Sequence, residues 1–268
     1  MNMHDHHEDV IVIIPQLILA IPFLIGLVVY VIAVITSNRK YAPWPHYRTL
    51  FWIIGSVCAI MAVCGPLAER AHVDFTAHMF GHLLLGMLAP LLMVLAAPMT
   101  VLLRSLNVRT ARKLTKLLKG TFVRVITDPV VASILNIGGL WLLYTTNLYA
   151  SMHDHMVLHL FIHFHVFLAG YVFTVSMIYI DPTPHRTSYV YRSIVLVIAL
   201  AGHGILSKFI YANPPYGVPA NQAESGAILM YYGGDAIDVV IIFILCWQWY
   251  KVSRPRTSIE SGYSAQGV

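Results

Sequence analysis

Seven apolar stretches divide this chain, and each is long enough to cross a lipid bilayer as a helix, which takes about 20 apolar residues. They lie at about residues 11–36, 50–68, 76–103, 129–149, 154–180, 193–212 and 226–250. Charged residues make up 11% of the chain, whereas a soluble domain carries about 25%. The sequence therefore predicts an all-α integral membrane protein built as a seven-transmembrane-helix bundle.

The basic residues predict how this bundle is oriented. With seven spans, fifteen of the 17 Lys and Arg residues fall on one side, and only Arg70 and Lys208 fall on the other. Because basic loops are retained in the cytoplasm, we expect the N-terminus outside and the C-terminus in the cytoplasm. The net charge of +5 is thus a topology signal, and it does not indicate nucleic-acid binding.

The regions outside the spans are short. We expect an extracytoplasmic His-rich tail at residues 1–10, one membrane domain at 11–250 and a polar cytoplasmic tail at 251–268. The first apolar stretch lacks the basic flank of a cleaved signal peptide, so we expect a retained helix. Segment 104–128 is typical of a basic amphipathic helix on the anionic leaflet, with a solvated connector as the alternative. The three cysteines form no CxxC pair.

Histidines are concentrated on the predicted outer side, where all but His46 and His185 fall. Imidazole is costly to bury in hydrocarbon unless something binds it, and it is the commonest protein ligand for transition metals. The residue pairs His78/His82 and His159/His163 are each four apart, so each pair shares one helix face.

The expected depth in the membrane adds a histidine from a third helix, His203, to this pattern. At about 1.5 Å per residue, we expect His82, His159 and His203 to lie at one depth, about 10–15 Å below the outer surface. His165 is expected to pack with its ring bonded to a neighbour. For His153 and His155, an interfacial position and metal binding are equal alternatives.

Span seven carries two carboxylates, Asp235 and Asp238, which we expect on one helix face near mid-membrane. Intramembrane carboxylates are rare, so the pair predicts metal ligands, groups that orient a ligating imidazole, or members of a proton path. Asp235 is the nearer candidate to pair with Lys208. Thioether and thiolate groups favour Cu(I), whereas imidazole accepts copper, zinc or iron. The nearby soft donors are Met79, Met152, Met156, Met230 and Cys64.

Several segments also carry a family resemblance. They are Pro43–Arg48 (PWPHYR), Cys64–Leu67 (CGPL), Ala77–Leu83 (AHMFGHL) with the later Ala89-Pro90 and Ala97-Pro98, His159–His163 (HLFIH) and Gly202–Lys208 (GHGILSK). Together these segments resemble the polytopic CtaG family of bacterial cytochrome c oxidase assembly factors. The resemblance implies a multi-pass protein of the bacterial plasma membrane that takes part in delivering copper to a haem–copper oxidase. It implies functional positions at His78, Met79, His82, His159 and His163.

The leading hypothesis is a non-catalytic assembly factor that handles copper, as Cu(I), at an outward-facing His/Met site. The predicted metal residues are His78, His82, His159, His163, His203, Met79, Asp235 and Asp238. The expected partners are cytochrome c oxidase subunits and the lipid bilayer, with self-association as a further alternative.

Three other functions stay open at this point. The first is a membrane b-type cytochrome with haem between facing histidines, for example His82 with His159 or His203. The second is a zinc-dependent hydrolase with three histidines and an aspartate around the metal. The third is a metal transporter whose path uses Asp235 and Asp238.

Overall fold

The computed structural model describes the backbone of residues 3–254 and the side chains of residues 14–254. Its α-helices are α1 (Met3–Lys40), α2 (His46–Val63), α3 (Pro66–Ala71), α4 (Phe75–Leu83), α5 (Ala89–Leu95), α6 (Pro98–Ser105), α7 (Val108–Leu118), α8 (Thr121–Ile126), α9 (Pro129–Ser133), α10 (Gly139–Thr145), α11 (Leu148–Asp154), α12 (Met156–Met177), α13 (Tyr189–Ala212) and α14 (Ala220–Ser253). Two π-helical segments, Leu84–Leu88 and Ile134–Gly138, join α4 to α5 and α9 to α10. The described residues contain no β-strand.

The described residues are helical, which confirms the all-α part of the prediction, and six stretches are long and apolar enough to cross a membrane, which agrees with a multi-pass protein. They are Ile14–Lys40 of α1, α2, the run Phe75–Leu95, α12, α13 and α14. A seventh span is formed only if two helical segments, Pro129–Thr145 and Leu148–Asp154, are counted together. The chain bends by 79° between them, so they do not form one straight helix. Large aliphatic side chains such as Val197 and Ile198 are about two-thirds exposed, as expected of a surface covered by lipid.

The third span is shorter than the predicted 76–103, because the helix stops at Leu95. Ala97 takes a left-handed conformation with φ of 52°, and Pro98 then starts α6. The break leaves the first amides of α6 without partners inside the helix. The carboxylate of Asp181 caps them, accepting from the amides of Met99 at 3.0 Å and Thr100 at 2.8 Å.

The two ends of the bundle differ in composition. At one end, which we call the histidine end, lie α3, α11 and the first turns of α4, α12 and α14. Gln222 of α14 accepts a hydrogen bond from the amide of Phe75 there, at 2.9 Å. At the opposite end, the basic end, lie Arg48, Arg104 and the helices α7 and α8. Segment 104–128 is helical as predicted and no residue of α7 or α8 is buried, while its position on a membrane stays a prediction.

Close helix packing surrounds the first π-helical segment. Gly170 of α12 lies so near the carbonyl oxygen of Gly86 that a Cβ at this position would overlap it. On the other side, α14 packs on α4 and α13 through Gly226, Gly233 and Gly234. These contacts fix α4, α12, α13 and α14 around the predicted histidines.

The side chains of the predicted His-rich tail at 1–10 lie outside the described residues, and so does the predicted cytoplasmic tail at 251–268 apart from residues 251–254. Residue 3 already belongs to α1, and α14 continues to Ser253.

Candidate metal centre

The start of α4 positions the first histidine pair. Asp74 is the N-cap residue, and its carboxylate accepts hydrogen bonds from the amides of Thr76 at 2.8 Å and Ala77 at 3.4 Å. Partial desolvation raises the pKa of Asp74, but these amides and the Arg70 guanidinium outweigh it and hold the pKa below its usual value. The charged cap fixes where α4 begins, and therefore the direction in which His78 and His82 point.

Five imidazoles line one small cavity at the histidine end, which we call the outer cavity. They come from the α3–α4 loop, α4, α11 and α12, and they are His72, His78, His153, His159 and His163. Met152 and Gln16 line the same cavity. His72 and His153 are exposed at its mouth, whereas His78 is buried at its floor.

The rings in the outer cavity are in close contact. The centroids of His159 and His163 are 4.1 Å apart, those of His72 and His159 are 5.3 Å apart, and those of His72 and His153 are 5.8 Å apart. Histidines that are distant in sequence are thus within reach of one another.

Backbone carbonyl groups set the tautomers of two of these rings. Nδ1 of His163 donates to the carbonyl oxygen of His159 at 2.9 Å, and Nδ1 of His153 donates to that of Tyr149 at 2.9 Å. A carbonyl oxygen only accepts, so Nδ1 carries the proton and Nε2 of a neutral ring keeps its lone pair. This second hydrogen bond is the usual way in which a protein orients a ligating imidazole.

His72 and His78 have different surroundings. Desolvation by burial, and then the neighbouring His153, lower the pKa of His72 below its usual value, which favours the neutral ring. His78 is more enclosed: its Nε2 lies 3.1 Å from the Tyr144 hydroxyl, and its ring contacts Tyr149 edge to face at 4.9 Å. The outer cavity therefore combines an accessible neutral imidazole with a fixed, buried one.

Two further cavities continue from the outer one into the bundle. The middle cavity is lined by His78, His82 and His163, so it shares two rings with the outer cavity. The inner cavity is lined by His82, His203 and Asp238, together with Asn136 and other groups. His82 lines both of these cavities and so connects them.

The expected common depth is met only in part. His82 and His203 line the same cavity, whereas His159 contacts His72 near the end of the bundle. The difference arises because α12 begins at Met156, so His159 stands in its first turn and the next histidine, His163, reaches the level of α4.

Asp235 and Asp238 differ in burial, although they stand within one turn of each other on α14. Asp238 is 4% exposed and lines the inner cavity, whereas Asp235 is exposed. The side chains of residues three apart on a helix point in directions that differ by about 60°. The edge of the buried face of α14 lies between the directions of Asp235 and Asp238. Lys208 does not pair with Asp235: its Nζ lies over the Tyr231 ring, 5.2 Å from the centroid.

Met79 lies in the apolar core. It is fully buried, and its side chain packs against Gly226 of α14 rather than lining one of the three cavities. The methionine that lines the outer cavity is Met152. Adjacent residues of a helix do not face the same way, so the position of Met79 directly after His78 already indicates a different direction.

Two further histidines of α12 and its N-cap, His165 and His155, have packing or surface positions. His165 Nε2 lies 3.1 Å from the carbonyl oxygen of Leu135, which is the bonded packing role expected for it. His155 is exposed at the N-cap of α12.

Sequence reasoning missed Gln16 and Asn136. The carboxamide oxygen of Gln16 accepts from the amide of Gly65 at 3.1 Å, and its nitrogen is buried with no hydrogen-bond partner among the described residues. A lone amide side chain inside an apolar stretch is the signal that marks both residues.

Within residues 14–254, no three side chains of His, Cys, Asp or Glu are arranged as they stand to hold a metal ion together. The five imidazoles of the outer cavity are therefore close neighbours but are not preassembled as a metal site.

Comparison with known proteins supports the resemblance seen in the sequence. Residues 28–252 match the family model described as cytochrome c oxidase caa3 assembly factor (Caa3_CtaG). A Mycobacterium leprae protein described as "Uncharacterized protein ML1998" is 27% identical over 83% of this chain and 37% of its own length. A Mycobacterium bovis protein described as "Uncharacterized protein Mb0105" is 29% identical over 85% of this chain and 38% of its own length.

The chain thus spans less than two-fifths of the length of these relatives. No solved structure matches it. Because the family model covers most of the spans and all of the cavity histidines, the chain belongs to the Caa3_CtaG family of cytochrome c oxidase assembly factors.

Proposed function

We propose that this protein handles Cu(I) for a haem–copper oxidase and presents the ion at the outer cavity for transfer to the oxidase copper centre. The observation that carries this proposal is the gathering of five imidazoles from four separate elements around one cavity with an exposed mouth. Family membership supplies the pathway, oxidase assembly. The cavity supplies the chemistry, and copper is cargo rather than a resident cofactor.

The donor set supports Cu(I) among the metals considered. Imidazole nitrogen accepts several transition metals, but the thioether of Met152 favours a soft ion. Cu(I) is stable with two to four such ligands, so a partner protein can replace them one at a time. Exposed rings at the mouth, His72 and His153, are the ones that a partner reaches first.

Ring spacing argues for an ion over a haem. The neighbouring imidazoles of the outer cavity have centroids 4.1–5.8 Å apart. A macrocycle held between two histidines needs a flat gap that separates the rings on both sides of its plane. Rings in mutual contact leave no such gap in the outer cavity.

The distribution of basic residues supports the direction of transfer. We propose that the histidine end faces outward, because Arg48, Arg104 and the basic helices α7 and α8 lie at the opposite end and basic segments stay in the cytoplasm. The mouth of the outer cavity would then be accessible to oxidase subunits on the outer side of the membrane.

A deletion strain complemented with variants tests the proposal. With copper-limited growth, we expect assembled oxidase with little activity in the deletion strain and partial rescue by added copper, since mass action replaces a delivery step. His159→Ala combined with His163→Ala should fail to complement, and the purified variant should retain less copper than the wild-type protein.

Matched controls remove imidazoles that lie outside the cavities. His155→Ala and His165→Ala should complement as the wild type does. Full oxidase activity in the copper-limited deletion strain would exclude the proposal, as would wild-type copper retention in the purified double variant.

A further inference from the structure

The inner cavity holds buried polar atoms that the protein itself leaves unbonded. Nε2 of His82 and Nε2 of His203 have no hydrogen-bond partner among the described residues, and their side chains are 7% and 3% exposed. Leaving such a group unbonded in an apolar interior costs about 1–3 kcal/mol. Two of them, from α4 and α13, line the same cavity, which indicates a shared ligand.

The cavity wall carries a second, independent feature. Gly86 and Met87 belong to one π-helical segment and Asn136 and Ile137 to the other, and both segments line this cavity. A π-helical turn is rare and is found mostly at functional sites, because it redirects side chains and carbonyl groups. Here two of them, on different spans, border one space.

The charges and donors around the cavity select the ligand. Asp238 is the one carboxylate that is buried among the described residues, and it lines the cavity beside the two rings. A singly charged cation would be neutralised by this carboxylate, which limits the desolvation cost, whereas a divalent ion would leave a net charge. Met87 adds a thioether, a ligand type that favours Cu(I).

We propose that the inner cavity is a second Cu(I) site, bound by His82 and His203 and neutralised by Asp238, distinct from the outer site. The identity of the ion rests on the proposed copper function. His78 and His163 line the outer and middle cavities, and His82 lines the middle and inner ones, so imidazoles connect the two sites. The ion remains Cu(I) throughout, and each step exchanges one Cu–N bond for another. The protein therefore holds a reserve ion behind the one that it presents.

Equilibrium copper stoichiometry tests this proposal. The purified full chain is titrated anaerobically with Cu(I) against a colorimetric Cu(I) chelator. We expect two ions in the wild-type protein and one in His203→Ala. We expect Asp238→Asn to weaken the inner ion about 10–100-fold, the usual effect of losing a group that supports a metal ligand. Glu224→Gln, which removes an exposed carboxylate near the start of the same helix, is the matched control and should keep two ions.

A milder variant separates binding from folding. Met87→Leu keeps the side-chain volume, so the fold should persist while affinity for the inner ion falls. Met177→Leu, at a fully buried position outside the three cavities, is its control and should bind as the wild type does. Folding of each variant is checked by its thermal midpoint.

The outcomes distinguish this inference from the proposed function. If His203→Ala keeps both ions, the inner cavity holds water only and the inference is wrong, while the outer site stands. If His159→Ala combined with His163→Ala keeps both ions and His203→Ala loses one, the proposed outer site is wrong and the inner site stands.

Discussion

Asp181 at the basic end and Asp238 beside the inner cavity are both carboxylates enclosed by helices, yet their surroundings differ. Asp181 accepts hydrogen bonds from two amides of α6 and from the Thr100 hydroxyl. Asp238 instead faces a cavity together with two imidazoles whose Nε2 atoms have no partner among the described residues.

The same contrast extends to other groups at the basic end. The Tyr30 hydroxyl donates to the carbonyl oxygen of Ala96 at 2.9 Å and accepts from Trp44 Nε1 at 3.0 Å. The Arg192 guanidinium donates from one terminal nitrogen to the carbonyl oxygen of Met177 and lies between the Tyr179 and Tyr189 rings. Its Nε has no hydrogen-bond partner among the described residues, but it belongs to a group held by that bond and by the two rings rather than one that faces a cavity. Polar groups bonded to the protein hold helices together, whereas polar groups left facing a cavity are available to a ligand.

The largest expected effect concerns the sidedness of the two ends. In a background without the three native cysteines, Val73→Cys at the histidine end should react with a membrane-impermeant thiol reagent added outside intact cells. Leu117→Cys on α7 should react only after the cells are opened. Both positions are well exposed, so reactivity reports the side of the membrane. Labelling of both from outside would remove the assignment of the histidine end to the outer face.

The next effect concerns stability at the basic end. Asp181→Ala leaves two amides of α6 unbonded, which should lower the free energy of unfolding by roughly 1–3 kcal/mol. The thermal midpoint of purified protein should fall, while copper bound per folded molecule stays unchanged. Asp154→Ala, an exposed carboxylate at the other end, is the control. A loss of copper without a loss of stability would mean that Asp181 is not a purely structural group.

The smallest effect concerns two buried methionines. Met152→Leu should lower Cu(I) affinity several-fold because the side chain lines the outer cavity, and Met79→Leu should leave the affinity unchanged because its side chain packs on α14. Both exchanges conserve volume, so each should cost less than about 1.5 kcal/mol of stability. Competition with a Cu(I) chelator measures the affinities. The reverse order would place Met79, rather than Met152, on the ion.

The spans were predictable because a helix that crosses hydrocarbon requires a long apolar run. In the structure, six of the seven predicted runs form helical stretches long enough to cross a membrane. The break at Ala97 had one signal in the sequence, Pro98, because the residue before a proline is disfavoured in the helical conformation. Its position was not predictable, because alanine favours a continuous helix and Pro90 lies within the same run without ending it. The left-handed conformation of Ala97 is stabilised from elsewhere, through the cap that Asp181 places on α6.

The sequence predicted that histidines from several helices would gather, but it did not predict every histidine that lines the cavities. Four-residue spacing identified His78, His82, His159 and His163, and the structure brings them to connected cavities. Metal binding by these residues stays a prediction. His72 and His153 joined them because a loop and a bent helix fold inward, and such contacts depend on tertiary packing that no spacing in the chain records.

The contact between Gly170 and the carbonyl oxygen of Gly86 has a consequence for variation at this position. Every other amino acid carries a Cβ, so none of the nineteen alternatives fits without moving α12 off the π-helical segment beside the inner cavity. A saturation library at codon 170 should therefore show no graded tolerance by size or polarity. Alanine should be depleted under selection about as strongly as tryptophan.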